Sequence, residues 1–442
     1  MTRRRVLVLC YFYPPLAGGG VHRVLGFTRY LPDHGWDCTV VCASAEDYWV
    51  SDPTLEDRTR PATEVIRVRG GSALAALLRW RRGRPGERSG RWFNGLRRLS
   101  DWWLLPDSYA GWAVRARRAA AARLARGGID AILSSSPPDS VHLAALGLRR
   151  RSAVPWVADF RDPWIGLTFR DPPTAWHRAR QAALERAVLD GCDLALTASR
   201  THAETIGASS GGRPRRVVHL PNGFEPERSL ASPAAASSAA STDRFRVVYT
   251  GTLSQMPDTE VFLEALHEVL ARRPEARRRL RATLAGPFET GYRDRAVALG
   301  LTGIVEFTGP RPHAETRQLQ REAALLMLWK PRGVPTMVPG KLYEYLDAGR
   351  PVVALLERGE EAGELVRRAG GTVIAPGDRL ALAAEIERRY AAWHAGGPAD
   401  RAPSARPAWL VEHTRAQLAA RLAGLLDELA GPGTAARAHE VT

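Results

Sequence analysis

Short apolar runs rich in β-branched residues alternate along the chain with longer stretches of helical periodicity. In the first half the runs Arg5–Cys10, Cys38–Ala43, Glu64–Val68, Ile129–Ser135, Val154–Asp159, Asp193–Ala198 and Arg216–Leu220 predict strands. Helical patterns fall at Val21–Leu31, Gly111–Arg126, Ser140–Arg150, Trp176–Asp190 and Arg200–Thr205. Strands that alternate with helices predict an α/β fold: a parallel, doubly wound sheet with helices on both faces. The Ala/Ser/Pro-rich stretch Ser229–Asp243 has no periodicity and reads as a linker. The alternation then restarts. Strands are expected at Arg246–Tyr249, Arg281–Ala285, Val305–Thr308, Leu325–Leu328, Pro351–Leu355 and Thr372–Ile374. Helices are expected at Asp258–Ala271, Gly340–Ala348, Glu360–Ala369, Arg379–Ala395 and Pro407–Leu429. The expected organisation is therefore a first domain over 1–228, a linker over 229–243, a second domain over 244–400, and a C-terminal helix and tail over 401–442. Two α/β domains across a linker imply a cleft, with ligands outside the carboxyl ends of the strands.

Composition narrows the reading. The 442 residues carry a formal net charge of +16, with globular proportions of apolar and charged residues. Such a charge favours an anionic partner: phosphate, nucleic acid or a lipid surface. The basic start runs into Tyr11, Tyr13, Pro14 and Pro15 without a cleavage site, so it reads as a first strand rather than a signal peptide. No apolar stretch is long enough to span a bilayer. Cys10, Cys38, Cys42 and Cys192 form no CxxC pair, and buried reduced thiols in a cytoplasmic protein are expected. Only Lys330 and Lys341 are lysine among 63 basic residues, which suggests that one of these sites needs a compact ammonium. The segment 78–112 interleaves Arg with Trp and Phe as an insertion in the first domain. That mixture suits an anionic membrane surface, single-stranded nucleic acid, or tryptophans that pack on their own domain.

Three segments carry candidate chemistry. Pro14–Arg23 (PPLAGGGVHR) follows the first strand, and Gly19 and Gly20 there offer bare backbone N–H groups before a helix. It lacks GxGxxG, and a plain turn explains it equally well. Val157–Gly166 (VADFRDPWIG) crowds Asp159, Arg161 and Asp162 at a strand end. Two carboxylates and a guanidinium fork could hold sugar hydroxyls or orient an acceptor; a structural Asp–Arg pair is the plainer alternative. Lys330–Pro351 (KPRGVPTMVPGKLYEYLDAGRP) leads through a loop into a helix whose first turn carries Lys341 and Glu344 on one face. Lysine at a helix N-terminus suits a phosphate, and a carboxylate one turn in can accept from a ribose diol.

These segments, with SSSPPDSVH at 134–142, LPNGFE at 220–225 and YTGTLS at 249–254, make the chain resemble a retaining glycosyltransferase of family 4 over nearly its whole length. The resemblance implies the GT-B architecture, two facing Rossmann-like domains with an interdomain cleft. It implies transfer of a sugar from a nucleotide-diphospho-sugar, commonly uridine-linked, with retention at the anomeric carbon. The nucleotide-sugar is a substrate, and no cofactor is expected. In the family a Glu-x7-Glu pair holds the donor; the later Glu, which holds the ribose, matches Glu344, while the earlier falls at Thr336. The family often has Arg and Lys after the first strand of the second domain. Here Gly251 and Thr252 begin a loop with neither, which points to Lys341, with Arg332 or Lys330, as the cation for the diphosphate. Gly286 and the segment 309–313, with Arg311, match places that cradle the base and diphosphate. His22 and His142 are candidates to face the cleft from the acceptor side, with Asp162 or Asp159 orienting the acceptor.

No Asp-x-Asp or Cys/His metal motif is present in the sequence, so the diphosphate charge is expected to be met by Lys, Arg and helix N-termini without a metal. Domain closure would exclude water. The expected acceptor is a carbohydrate, a lipid-linked molecule or a natural product, and the expected location is cytoplasmic, at the inner membrane face. A nucleotide-sugar 2-epimerase of the same fold is the nearest alternative. Nucleic-acid binding, driven by charge alone, is the alternative from another class.

Overall fold

The computed structural model describes residues 3–16, 18–48, 51–70, 102, 104–166, 172–209, 216–226, 243–254, 256–397 and 401–431. Residues 78–101 and 103 of the basic insertion, and all of the linker but Asp243, lie outside them. The chain divides into two compact units: residues 1–222 with 415–442, and residues 223–414.

The first unit is a parallel sheet in the order β3-β2-β1-β4-β5-β6-β7. Its strands are β1 (Arg4–Cys10), β2 (Trp36–Ala43), β3 (Glu64–Val68), β4 (Ala131–Ser136), β5 (Trp156–Phe160), β6 (Leu194–Thr197) and β7 (Val217–His219). The helices α1 (His22–Tyr30), α2 (Ala110–Leu124), α3 (Ser140–Arg149), α4 (Ala175–Gly191) and α5 (Arg200–Ser209) connect them. β1 is apolar at successive positions because both of its faces are covered. Leu7 and Leu9 join one core with Trp112, Val141 and Trp156. Val6, Val8 and Cys10 join another with Val24, Phe27, Leu418 and Leu422. Trp112, at the end of the 78–112 insertion, is thus a core residue, whereas Trp102 is exposed.

The second unit repeats the plan in the order β10-β9-β8-β11-β12-β13. The strands are β8 (Phe245–Thr250), β9 (Leu280–Ala285), β10 (Val305–Gly309), β11 (Leu325–Trp329), β12 (Val352–Leu355) and β13 (Thr372–Ile374). Its helices are α6 (Asp258–Arg272), α7 (Thr290–Ala298), α8 (His313–Glu322), α9 (Gly340–Asp347), α10 (Glu361–Arg368) and α11 (Arg379–Ala395). Tyr249, Trp329 and Phe262 fill one face of the sheet, and Val248, Leu328 and Leu342 the other.

Three features depart from the sequence reading. The expected helix Pro407–Leu429 is two elements: a 3-10 turn, Ala408–His413, and the helix α12, Arg415–Ala430. α12 belongs to the first unit, where Leu418, Leu422 and Leu426, spaced by four, pack with Val6, Val8 and Phe27. α1 and α12 approach so closely that a Cβ on Gly26 would lie 2.7 Å from Arg415 Cδ. The helices α7 and α8 were not expected, because their sequences lack an apolar stripe. The four cysteines are buried and unpaired. Burial pushes the thiols of Cys38, Cys42 and Cys192 up to about 12.

Candidate nucleotide-sugar site

In the second sheet the chain order reverses at β8, which has β9 on one side and β11 on the other. Ligands of such sheets bind at the carboxyl ends beside this reversal. There β8 ends at Thr250, followed by Gly251, and β9 at Ala285, followed by Gly286. Gly286 has φ +145°, and a Cβ there would lie 1.9 Å from the Gly251 carbonyl oxygen. Only glycine lets the two strand-end turns meet in this way. Gly251 N–H donates to Ala285 O at 2.8 Å, and Gly286 N–H to Gly309 O at 2.9 Å, so three strand-end glycines form one backbone ledge.

Lys341 enters this ledge from the first turn of α9, a helix that starts after Pro339 with no side-chain cap. Its Nζ lies 3.6 Å from the centroid of the Tyr249 ring, and 3.2 Å from where a Cβ on Gly251 would be. The Tyr249 ring in turn stacks on Trp329 at 4.0 Å. Among the described residues no carboxylate pairs with Lys341. Burial without a counter-charge lowers its pKa well below the ordinary lysine value. The π face offsets only part of that desolvation.

Glu344, one turn further along α9, is buried. His313 Nε2 lies 3.1 Å from its Oε1, and Gln320 Nε2 donates to Oε2 at 3.3 Å. Gln320 Nε2 also reaches Thr250 Oγ1 at 3.0 Å. The Thr250 N–H donates to the Tyr345 hydroxyl at 2.8 Å. His313, Gln320 and Tyr249 were not singled out in the sequence. His313 stands in the GPRPH segment whose arginine attracted attention instead; Gln320 left no signal.

The other donor-side candidates fall elsewhere. Arg332 forks onto the buried Asp258, which also accepts from Gly377 N–H at 3.1 Å. Lys330 is buried, pairs with Glu360 at 3.1 Å and donates to the Val334 and Met337 carbonyls, so it straps the loop that precedes α9. Thr336 sits half-buried in that strapped loop. Thr252 is exposed, and its carbonyl accepts from the Tyr249 hydroxyl at 2.8 Å. Arg311 is exposed, pairs with Glu315 at 3.4 Å, and lines a groove of about 690 Å3 with Arg246, Arg281 and Glu322. Neither Lys341 nor Glu344 lines that groove.

The first sheet reverses at β1, between β2 and β4. Asp159, at the end of β5, is completely buried. It takes a fork from Arg23 (2.6 and 2.9 Å) and a hydrogen bond from Ser135 Oγ at 2.7 Å. Arg23 also donates to Pro221 O at 2.6 Å. Asp159 is therefore a structural anchor, engaged by Arg23 and Ser135. Its neighbour Arg161 donates to the Gly20 carbonyl, and Asp162 is half-buried beside it. Burial lowers the Arg161 pKa, against the opposing charge of Asp162. Gly19 and Gly20 line the same loop, with a Cβ position on Gly20 3.3 Å from Phe12. His22 is half-buried at the start of α1. His142 is a core residue. It hydrogen-bonds Ser134 Oγ at 2.8 Å and lies 4.5 Å from the Phe160 ring. Burial holds its pKa down at about 3, with Asp159 acting the other way.

Among the described residues no group of His, Cys, Asp and Glu is arranged to hold a metal ion, and no helix is long and apolar enough to cross a membrane.

Residues 18–223 match the family model for a glycosyl transferase 4-like domain. Residues 244–391 match the model for glycosyl transferases group 1. No curated protein matches the chain in sequence. Among solved structures, HepE of Anabaena, in complex with UDP and glucose, is 17% identical, with a TM-score of 0.64 over 96% of this chain and 99% of that one. Sucrose-phosphate synthase from Thermosynechococcus elongatus is 16% identical, with a TM-score of 0.65 over 97% and 99%. WaaG, a glycosyltransferase involved in lipopolysaccharide biosynthesis, is 15% identical, with a TM-score of 0.62 over 95% and 99%. With two parallel-sheet Rossmann-like domains and family models matched in both, the chain belongs to the GT-B glycosyltransferases of the group 1 and family 4 type.

Proposed function

We propose that the protein transfers a sugar from a uridine-linked nucleotide-diphospho-sugar to a carbohydrate, lipid-linked or natural-product acceptor, with retention and without a metal. The observation that carries the reading is Lys341, a half-buried cation without a carboxylate partner among the described residues, set against the Gly251 ledge with Glu344 one turn on. A diphosphate would supply the missing counter-charge, and the open first turn of α9 would add backbone N–H donors. Glu344 accepts the ribose hydroxyls. As the bond to the sugar breaks, charge grows on the leaving phosphate, and Lys341 stabilises it in place. In a front-face displacement that phosphate accepts the acceptor proton, while Asp162 orients the acceptor hydroxyl. HepE in complex with UDP-glucose supports the choice of uridine. Proton NMR of the first-formed product from a UDP-α-sugar tests the reaction: an α-linked product is expected, and a β-linked one contradicts retention.

We further propose that the protein works at the inner membrane face. Trp102 and Trp176, both more than half exposed, support this together with the Arg/Trp content of the insertion. Deleting residues 81–98 is expected to reduce co-sedimentation with anionic vesicles at low salt, while nucleotide binding stays intact. Equal co-sedimentation contradicts it.

A further inference from the structure

The helix α8 turns polar side chains inward, which an ordinary core-facing helix does not do. Arg317 and Gln320 are 2% and 0% exposed. Arg317 donates to Gln320 Oε1 and to the Glu344 carbonyl, both at 2.7 Å, and pairs with Asp347 at the end of α9. Gln320 and His313 then meet the two oxygens of the Glu344 carboxylate separately. An ionised carboxylate only accepts, so His313 Nε2 carries the hydrogen of this contact. The carboxylate is thus held from one side by a neighbouring helix whose own side chains are held in turn.

We infer that His313 is a positioning residue that aims Glu344 at the ribose diol, and so makes the site selective for ribonucleotides over 2′-deoxyribonucleotides. This rests on the nucleotide reading of Glu344. A carboxylate free to swing could follow whichever hydroxyl is present. One fixed by His313 and Gln320 leaves an acceptor position unmet when the 2′-hydroxyl is missing, and buried polar groups left unmatched are what discriminate strongly between analogues. His313 touches Glu344 rather than the ligand, and its effect is therefore conditional on that hydroxyl.

Titration calorimetry of the full chain with UDP and 2′-deoxy-UDP, and with the guanosine and adenosine pairs, tests this. The parent is expected to prefer the ribonucleotide by roughly tenfold or more. His313→Ala is expected to lose affinity mainly for the ribonucleotide, so that the preference shrinks to about twofold. His313→Gln, whose amide can still donate, is expected to restore part of it. A parent without preference, or a His313→Ala variant that loses equally for both ligands or for neither, overturns the inference. Glu344→Ala separates the two levels. If it abolishes the preference while His313→Ala keeps it, only the role of His313 falls. If Glu344→Ala binds both nucleotides as the parent does, or the parent binds none, the nucleotide reading falls too.

Discussion

The ammonium of Lys341 lies 3.6 Å from the centre of the Tyr249 ring, which is itself stacked on Trp329. An aromatic face is a weaker partner for a cation than a carboxylate, so the lysine carries an unpaid desolvation cost that an anionic ligand relieves. Lys341→Met is expected to leave the melting temperature equal or higher and to weaken nucleotide binding at least about tenfold, the scale of a lost charge-assisted hydrogen bond. Lys341→Arg, too broad for the ledge, is expected to lower kcat/KM by about tenfold although the charge is kept. Because burial depresses the folded lysine's pKa, a bound diphosphate raises it and draws in a proton. Nucleotide affinity should therefore fall as pH rises through the depressed value, and this dependence should vanish in Lys341→Met. Calorimetry in buffers of different ionisation enthalpy reads the proton directly.

Gly286→Ala is expected to disturb the ledge. Its Cβ would collide with the Gly251 carbonyl at 1.9 Å, and its φ of +145° is disfavoured for any residue with a side chain. Backbone strain of this kind costs about 1–3 kcal/mol, before the collision is counted. The variant should melt lower and bind nucleotide poorly. Gly291→Ala, in α7 with nothing near its Cβ position, is the control and should be neutral or slightly stabilising. Thermal melts with and without nucleotide distinguish the two.

Asp159 and Asp162 are three residues apart yet should behave differently. Asp159→Asn leaves Arg23 as a buried charge without its partner, and loss of one member of such a pair destabilises by about 3–5 kcal/mol. Asp162→Asn should leave the melting temperature and nucleotide affinity unchanged and reduce turnover with acceptor. Equal melting of the two variants contradicts the assignment of the anchor, and full turnover by Asp162→Asn removes it from the acceptor site.

His142 gives the protein an acid-sensitive element. Its folded pKa, about 3, lies below the ordinary value near 6.5. Between these values the unfolded chain binds a proton that the folded core refuses, so stability falls as pH drops below about 6.5 and keeps falling towards about 3. His142→Gln should flatten that part of the stability curve; denaturant melts at stepped pH check it. An unchanged slope contradicts the core role of His142.

The central strands were legible because both faces of each sheet are covered there, which makes β1, β6, β11 and β12 nearly unbroken apolar runs. That Lys341 and Glu344 share the start of α9 was legible from their helical spacing. The helix α8 was not. Its inward positions are Arg317 and Gln320, so hydrophobic periodicity is silent at the place where the network around Glu344 is built. Asp159 and Asp162 looked alike in VADFRDPW, and it is the partner Arg23, 136 positions before Asp159, that marks Asp159 as the anchor. Arg332 and Lys330 were near Lys341 in sequence, but Asp258 and Glu360 claim them in space. The break in the last helix, and its return to the first unit, depend on long-range packing that a local pattern does not contain.

The most direct test of the nucleotide site is a thermal-shift series with UDP, GDP, dTDP and ADP on the parent, Lys341→Met and Glu344→Ala. Ligand at 100 times its Kd stabilises by about 2.7 kcal/mol, a readily measured shift. The parent should be stabilised by UDP above the other three, and both variants should lose most of that shift while folding normally. A parent that no nucleotide stabilises, or variants that keep the full shift, would contradict the placement of the donor at Lys341 and Glu344.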